Sequence, residues 1–211
     1  MKKICVVVIL LMFVSSGLFA MERTVGGGLL YNLAISNLSG SETFEGESFS
    51  LDADLTRNGF GAFGFYGISQ FWEVNFGFLY KNPSKVKVTE TFNGVTNTYE
   101  MSGGLDSVLA LQLGVYYKYP IPVSDTLVFF PTGGVDFEFT LGGDGGAEAM
   151  DWWHDLWLRA GVGLDAFLNE RMFIRSHLIY GASIPFGGDV KPLELGVGHG
   201  LLIKVGLGWM L

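Results

Sequence analysis

The sequence LLIKVGLGWML, residues 201–211, ends the chain and places Lys204 in the middle of an apolar run. Successive side chains of a β-strand point to opposite faces, so this stretch would present two different surfaces. One surface would be large and apolar, and would consist of Leu201, Ile203, Val205, Leu207, Trp209 and Leu211. The other would hold Lys204 together with Gly206 and Gly208. The fold therefore depends on which of the two surfaces faces outward.

The same alternation of apolar and polar residues recurs along the chain. It predicts eight strands, at residues 25–36, 59–68, 71–81, 105–119, 127–141, 155–167, 172–184 and 201–211. In the fourth of these, leucine and tyrosine occupy almost all of one face, while Gln112, Gly114 and Lys118 lie on the other. The second strand is ambiguous in its facing and its start, because aromatic residues occupy both faces and the pattern fits a start as early as Phe49.

Composition narrows the class of protein. The chain has 211 residues, of which 49% are hydrophobic, and a formal net charge of -8. That length suits one domain, and the acidic charge argues against a nucleic-acid partner. The segment GGDGGAEAMD, residues 142–151, is acidic and glycine-rich but occurs once. It predicts a loop and not a stacked calcium site, and we expect no metal and no cofactor.

The N-terminus has the layout of a secretory signal peptide. Two lysines precede the apolar residues 4–14, and small residues follow as far as Ala20. The apolar run is too short to cross a bilayer, which takes about 20 residues. We predict cleavage after Ala20, with Gly17 as the alternative, so that residues 1–20 form the signal and residues 21–211 form one barrel domain. Cleavage would also remove the only cysteine, Cys5.

The connections between the predicted strands alternate in length. Three are short, at residues 69–70, 120–125 and 169–171, and four are long and polar, at residues 37–58, 82–104, 142–151 and 185–198. Short turns would therefore lie at one end of the molecule and long loops at the other. Within the second long loop, Asn93 and Gly94 predict a projecting hairpin, because this pair favours the type I′ turn.

Two architectures share this pattern: a soluble barrel with its apolar faces inward, and a membrane barrel with those faces outward. An eight-stranded barrel has room inside only for side chains. The apolar faces carry most of the bulky residues and would overfill it, whereas the polar faces carry small residues and charges of both signs. Aromatic residues near both strand ends, such as Trp72 and Tyr180, fit interfacial girdles. We predict an antiparallel up-and-down transmembrane β-barrel, with Lys204 in the lumen.

The terminal residues Lys204, Gly206, Trp209 and Leu211 resemble the assembly signal of the small eight-stranded bacterial outer-membrane proteins of the OmpA, OmpX and OmpW type. Many members end in phenylalanine, where this chain has Leu211. The resemblance implies a monomer surrounded by outer-membrane lipid, inserted by the barrel-assembly machinery, with its long loops outside. It also implies limited passive passage of small, hydrophobic molecules in the OmpW manner. The alternative is a sealed barrel whose loops bind host matrix components.

Inward charges of opposite sign share each predicted level of the lumen. We expect the adjacent pairs Glu73–Lys118 and Asp165–Arg175 near the short turns, and Arg159 higher up, near two acidic residues. The full set of gate candidates is Glu73, Lys118, Asp136, Glu138, Arg159, Asp165, Arg175, His177 and Lys204. Two roles fit this set: a structural plug, because buried charges need partners, and a gate or selectivity element.

Pro131 lies in the fifth predicted strand and is followed by Gly133 and Gly134. Proline cannot donate to a strand ladder, so pairing should be weak there. OmpW-type barrels are thought to release small apolar molecules through an opening in the wall, and that resemblance makes Pro131 a candidate for such an opening. A strand that simply begins near Pro131 would explain the residue equally well.

Enzymatic activity is not expected. A catalytic base must reach its nucleophile's proton. Ser107 would face lipid with no histidine nearby, and Ser176 and His177 would point to opposite faces. His154, beside Trp152 and Trp153, fits an interfacial loop residue better than a catalytic one.

Overall fold

A computed structural model describes residues 24–44, 47–101, 107–143, 154–186 and 198–211. These contain the strands β1 (Val25–Phe44), β2 (Glu47–Gly67), β3 (Trp72–Phe92), β4 (Val95–Met101), β5 (Val108–Lys118), β6 (Ile121–Ser124), β7 (Leu127–Gly143), β8 (His154–Phe167), β9 (Met172–Phe186) and β10 (Gly198–Met210). Among them, no helix has the length and hydropathy needed to cross a membrane. The predicted signal peptide and nearly all of the acidic 142–151 loop lie outside the described residues.

The wall of the barrel is a closed antiparallel ring. Its strand order is β1, β2, β3, β5, β7, β8, β9 and β10, and β10 pairs with β1 again. β4 and β6 are short additions that pair with β3 and β7. Closure pairs every wall strand on both sides, which removes unpaired backbone edges from a lipid environment. The predicted eight-stranded up-and-down barrel is confirmed.

The apolar faces of the wall strands point outward. Leu158 on the outside of β8 exposes 66% of its surface, whereas Glu73 on the inside of β3 exposes 2%. On β5, burial alternates residue by residue. The ambiguity of the second strand is also settled, because Phe60 is exposed while Phe65 is buried in the lumen. Large apolar residues thus cover the outside, as the lumen volume requires.

Aromatic rings gather on the outer surface at the short-turn end. The ring of Phe71 stacks 5.8 Å from those of Tyr117 and Tyr119, and Trp72 lies 5.4 Å from Tyr117. Rings of this kind suit a membrane–water interface, where an apolar body and a polar tip meet different surroundings. These rings lie at the short-turn end, where the sequence predicts an aromatic girdle.

The short-turn end contains two tight turns and one hairpin. Side chains hold the tight turns, since Ser69 Oγ accepts from the Trp72 amide at 3.1 Å and Asn169 Oδ1 accepts from the Met172 amide at 2.8 Å. The prediction of a plain turn at residues 120–125 is wrong. Most of that segment forms β6, which pairs with the start of β7, so that Ile121 lies opposite Phe129.

The opposite end carries a projecting sheet, made of residues 38–44 of β1, 47–58 of β2, 82–92 of β3 and all of β4. The predicted loop at residues 37–58 is wrong, because β1 and β2 stay paired as far as Phe44 and Glu47. The predicted hairpin at Asn93 and Gly94 is confirmed, with φ angles of 48° and 82°. β1 has 20 residues, and about 10 suffice to cross an outer membrane, so roughly half of it extends past the barrel.

Candidate functional site: the lumen

A charged network lies across the lumen near the short turns. Glu73 accepts hydrogen bonds from Lys118 Nζ at 2.5 Å and from Arg175 Nη1 at 2.9 Å. Arg175 also binds Asp165 through two bonds, of 2.7 Å and 2.9 Å. The structure therefore brings together both adjacent pairs that we expected here, and it joins them through Glu73 into one lower network.

The bond between Glu73 and Arg175 spans the lumen. Glu73 belongs to β3 and Arg175 to β9, and three strands separate β3 from β9 in either direction around the ring. The two side chains therefore come from opposite walls. Charged hydrogen bonds of this kind are short and strong, and here they tie together two walls that share no backbone contact.

Phenylalanine rings line the lower network. Phe65, Phe130 and Phe173 are buried in the lumen. The Arg175 guanidinium lies 4.2 Å from the centre of the Phe65 ring, and Lys118 Nζ lies 5.5 Å from that of Phe130. Cations over ring faces are attracted by the ring quadrupole. The alternation in the sequence assigns the bulky residues to the outside and does not predict this layer, although Phe173 shares its strand face with Arg175.

A second network lies above the first. Lys81 pairs with Glu138, and Gln112 Nε2 donates to Glu138 Oε2 at 2.8 Å. Lys204 Nζ donates to Gln112 Oε1 at 3.3 Å. Since β5 and β10 are also opposite each other in the ring, the contact between Lys204 and Gln112 spans the lumen too. Lys81 and Gln112 were not among the predicted site residues, although Lys81 lies on the same strand face as Glu73.

Of the remaining predicted residues, Asp136 and Arg159 form a pair above the lower network, and His177 lies beside the lower cavity. Arg159 Nη1 donates to Asp136 Oδ2 at 2.6 Å, and the Tyr116 hydroxyl donates to the same oxygen at 2.5 Å. Glu138 lies at the level of Arg159, as expected, and lines the same cavity, but its ion pair is with Lys81. His177 is the register partner of Lys204, and its ring packs edge-on against Phe130 at 5.5 Å.

Two small cavities lie along the lumen, one below the other. The lower cavity has a volume of about 50 Å³, and its lining includes Arg175, His177 and Lys204. The upper cavity has a volume of about 30 Å³. A water molecule needs roughly 10–15 Å³ of such space. Gln112 lines both cavities, so its side chain separates them.

Pro131 lies within a continuous strand, so the explanation that a strand begins near it is wrong. β7 starts at Leu127, and Pro131 pairs with Val162 of β8. Its carbonyl accepts from the Tyr119 amide at 3.0 Å. The N–H and C=O of a strand residue point toward the same neighbouring strand. The hydrogen bond that Pro131 cannot donate is therefore lost on the side of Tyr119, at the junction between β5 and β6.

The candidate catalytic residues are not brought together. Ser107 is buried, and its hydroxyl donates to Asn82 at 2.5 Å and not to a histidine. The prediction that Ser107 faces lipid is wrong, because β5 begins only at Val108. His177 faces the lumen and Ser176 the outside, while the side chain of His154 lies outside the described part of the chain. Within that part, no group of metal-ligating side chains occurs.

The similarity of this chain to known outer-membrane barrels lies in its structure alone. No model of a protein family and no curated protein matches the sequence. The outer membrane protease OmpT from Escherichia coli is similar over 91% of this chain and 99% of its own, with a TM-score of 0.53 and 5% identity. OprG from Pseudomonas aeruginosa is similar over 91% of this chain and 96% of its own, with a TM-score of 0.49 and 14% identity. The chain has the fold of the outer-membrane β-barrels.

Proposed function

We propose that this protein resides in the bacterial outer membrane and allows limited passive passage of small molecules through a lumen that is closed at rest. The observation that carries this proposal is the bond between Glu73 and Arg175, which joins opposite walls. The hydrogen bonds that join opposite strands in the described part of the lumen, Glu73–Arg175 and Lys204–Gln112, are made by side chains. Opening therefore requires rotation of side chains and leaves the backbone ladder of the wall intact.

The strength of the lower network explains why passage would be limited. Breaking a buried ion pair is costly because each charge loses its partner in a poorly solvated interior. A state in which Arg175 has turned away from Glu73 would therefore be sparsely populated. The contact between Lys204 and Gln112 is weaker, since it is a single bond of 3.3 Å to a neutral acceptor. The lower network is thus the main barrier.

Conductance of refolded protein in planar bilayers tests this proposal. The wild type should show rare, small openings, and Glu73→Gln should increase their frequency because Arg175 then loses its partner on the opposite wall. Lys87→Gln, a change in the projecting sheet, is the control and should leave the frequency unchanged. A folded Glu73→Gln barrel that stays as silent as the wild type would show that the networks form a structural plug.

Passage of hydrophobic molecules would need a second route, because charges line the lumen. Pro131 marks a position for it, since the wall lacks an N–H there at the junction of β5 and β6. Amide exchange tests this route: Tyr119 and Thr132 should exchange faster than residues in the middle of β5. Equal protection along both strands would exclude an opening at this point.

The projecting sheet supports a second candidate function, which is binding of host matrix components. Its outer hairpin exposes 64% of Val95 and 51% of Tyr99, together with Phe92. Exposed apolar residues on a rigid scaffold are typical of interaction surfaces. Cells whose protein lacks residues 85–100 should adhere less to matrix than wild-type cells. Equal adhesion, with equal amounts of folded barrel at the surface, would rule this function out.

We also propose that the protein is a monomer and that its last strand directs its assembly. Lys204, Gly206, Trp209 and Leu211 would form the signal that the barrel-assembly machinery reads, on a monomer exported by a cleaved signal peptide. Leu211→Phe should raise the fraction of protein that folds in cells, measured by the different migration of unboiled and boiled samples. The same change should leave refolding of purified protein in detergent unaltered, because no machinery acts there.

A further inference from the structure

We propose that the upper cavity binds a small monatomic anion such as chloride. Three cationic side chains and one carboxylate line this cavity. The cations are Arg57, Lys81 and Arg159, and the carboxylate is Glu138. Asp155, the next inward carboxylate on β8 beyond Trp157, is not among the lining residues. The lining therefore carries an excess of positive charge.

The carboxylates at this level already have partners. Glu138 accepts from Lys81 through Oε1 and from Gln112 through Oε2. Asp136 Oδ2 accepts from both Arg159 and Tyr116. These bonds use the charges of Lys81 and Arg159 but not that of Arg57, and the lysine and arginine side chains offer more N–H groups than these bonds use.

A buried donor without a partner points to the same site. Trp157 lines the upper cavity, and its Nε1 is buried with no hydrogen-bond partner in the part of the chain that the structure describes. The Arg159 guanidinium lies 4.8 Å from the centre of the same indole ring. An indole N–H can only donate, and leaving it unpaired costs free energy. An acceptor in the cavity would remove that cost.

Charge and size together select the ligand. The cavity, of about 30 Å³, has space for about two water-sized species, since each needs roughly 10–15 Å³. It has too little for phosphate or a carboxylic acid with its substituent. Lys81 and Arg159 already have carboxylate partners, so the positive charge left for a ligand is that of Arg57. A water molecule would satisfy the indole N–H but would give Arg57 no anionic partner. A monatomic anion would accept the hydrogen bond of the indole N–H and would also compensate the positive charge.

Crystals of the refolded barrel grown with bromide in place of chloride test the site directly. Anomalous scattering should show a bromide ion within hydrogen-bonding distance of Trp157 Nε1, between Arg57 and Arg159. An upper cavity that holds water, or nothing, in crystals that bind bromide elsewhere would overturn the proposal. The site does not depend on whether the lumen opens, so a silent barrel in conductance measurements leaves this test unaffected.

Thermal unfolding in detergent provides a second test in solution. At constant ionic strength, chloride in place of gluconate should raise the unfolding temperature of the wild type, because a ligand that binds the folded state stabilises it. Trp157→Phe keeps an aromatic ring on this strand face, although a smaller one, and removes the N–H. It should weaken chloride binding about tenfold, the effect of losing one hydrogen bond to a charged partner.

The surface variant Lys87→Gln is the control for general salt effects and should respond to chloride as the wild type does. Arg57→Gln removes one positive charge from the half-buried side of the cavity and should also weaken the response. Chloride stabilisation of equal size in the wild type and in both cavity variants would assign the effect to the protein surface and overturn the proposal.

Discussion

Replacement of Glu73 by glutamine should destabilise the barrel by about 3 kcal/mol, the lower end of the range for a broken buried ion pair. The change leaves Lys118 and Arg175 without the carboxylate that they share. Two features of the structure keep the cost at that lower end. Arg175 retains its two bonds to Asp165, and the Lys118 side chain is 16% exposed and keeps some contact with water.

Urea unfolding of the refolded barrel, followed by tryptophan fluorescence, measures this change in the free energy of unfolding. The midpoint should fall while the slope of the transition stays constant. Glu100→Gln is the matched control, because Glu100 forms an ion pair with Lys85 at 3.7 Å in which both side chains are more than half exposed, at 57% and 56%. Such a surface pair contributes about 0–1 kcal/mol.

A double variant separates unpaired charge from lost packing. In Glu73→Gln with Lys118→Met, one carboxylate and one ammonium disappear together, so that Arg175 and Asp165 remain a balanced pair. The double variant should recover most of the stability that Glu73→Gln loses. If Glu73→Gln destabilises the barrel no more than Glu100→Gln does, the lower network is not a buried compensated cluster and the reasoning is wrong.

Three further predictions concern the lumen and the wall. Arg159→Ala should increase leak conductance if the upper network restricts passage, whereas unchanged conductance in a folded variant would assign Arg159 to a structural plug. Gly114→Ala should destabilise the barrel by about 1–3 kcal/mol, because the added Cβ would lie 2.0 Å from Asp136 Oδ1; Gly77→Ala is the control, since its nearest neighbour lies 3.7 Å away. Pro131→Val supplies the missing N–H and should slow amide exchange at its neighbours; unchanged exchange would show that no weak point existed.

Several features of the lumen were predictable because they depend on short distances along the chain. Asp165 and Arg175 flank one tight turn, so the height of each above that turn follows from counting residues. Glu73 and Lys118 lie low on adjacent strands for a similar reason. The pairing of Glu138 with Lys81 was not predictable in this way, because these residues belong to β7 and β3, with β5 between them. Their contact depends on the curvature of the whole wall.

The projecting sheet shows a different limit of sequence analysis. Residues 47–58 of β2 pair with β1 on one side and β3 on the other. Beyond Arg57, which lines the upper cavity, both faces of this sheet lie outside the barrel, so its sequence has no need for one apolar and one polar face. The alternation that reveals a half-buried strand is then weak, and polar residues such as Asp52 and Asp54 resemble a loop.

The sequence by itself determined the class of barrel and the direction of its faces. Side chains alternate between the two faces of a strand, so the position of a residue along its strand fixes the side of the wall that it faces. The lumen of an eight-stranded barrel is too narrow for the faces that carry most of the bulky apolar residues. Only the tertiary structure decided which inward side chains meet across the lumen. Glu73 with Arg175, and Lys204 with Gln112, become neighbours because closure of the ring places their strands opposite each other. Closure is a property of all the strand pairs together, and no single segment encodes it.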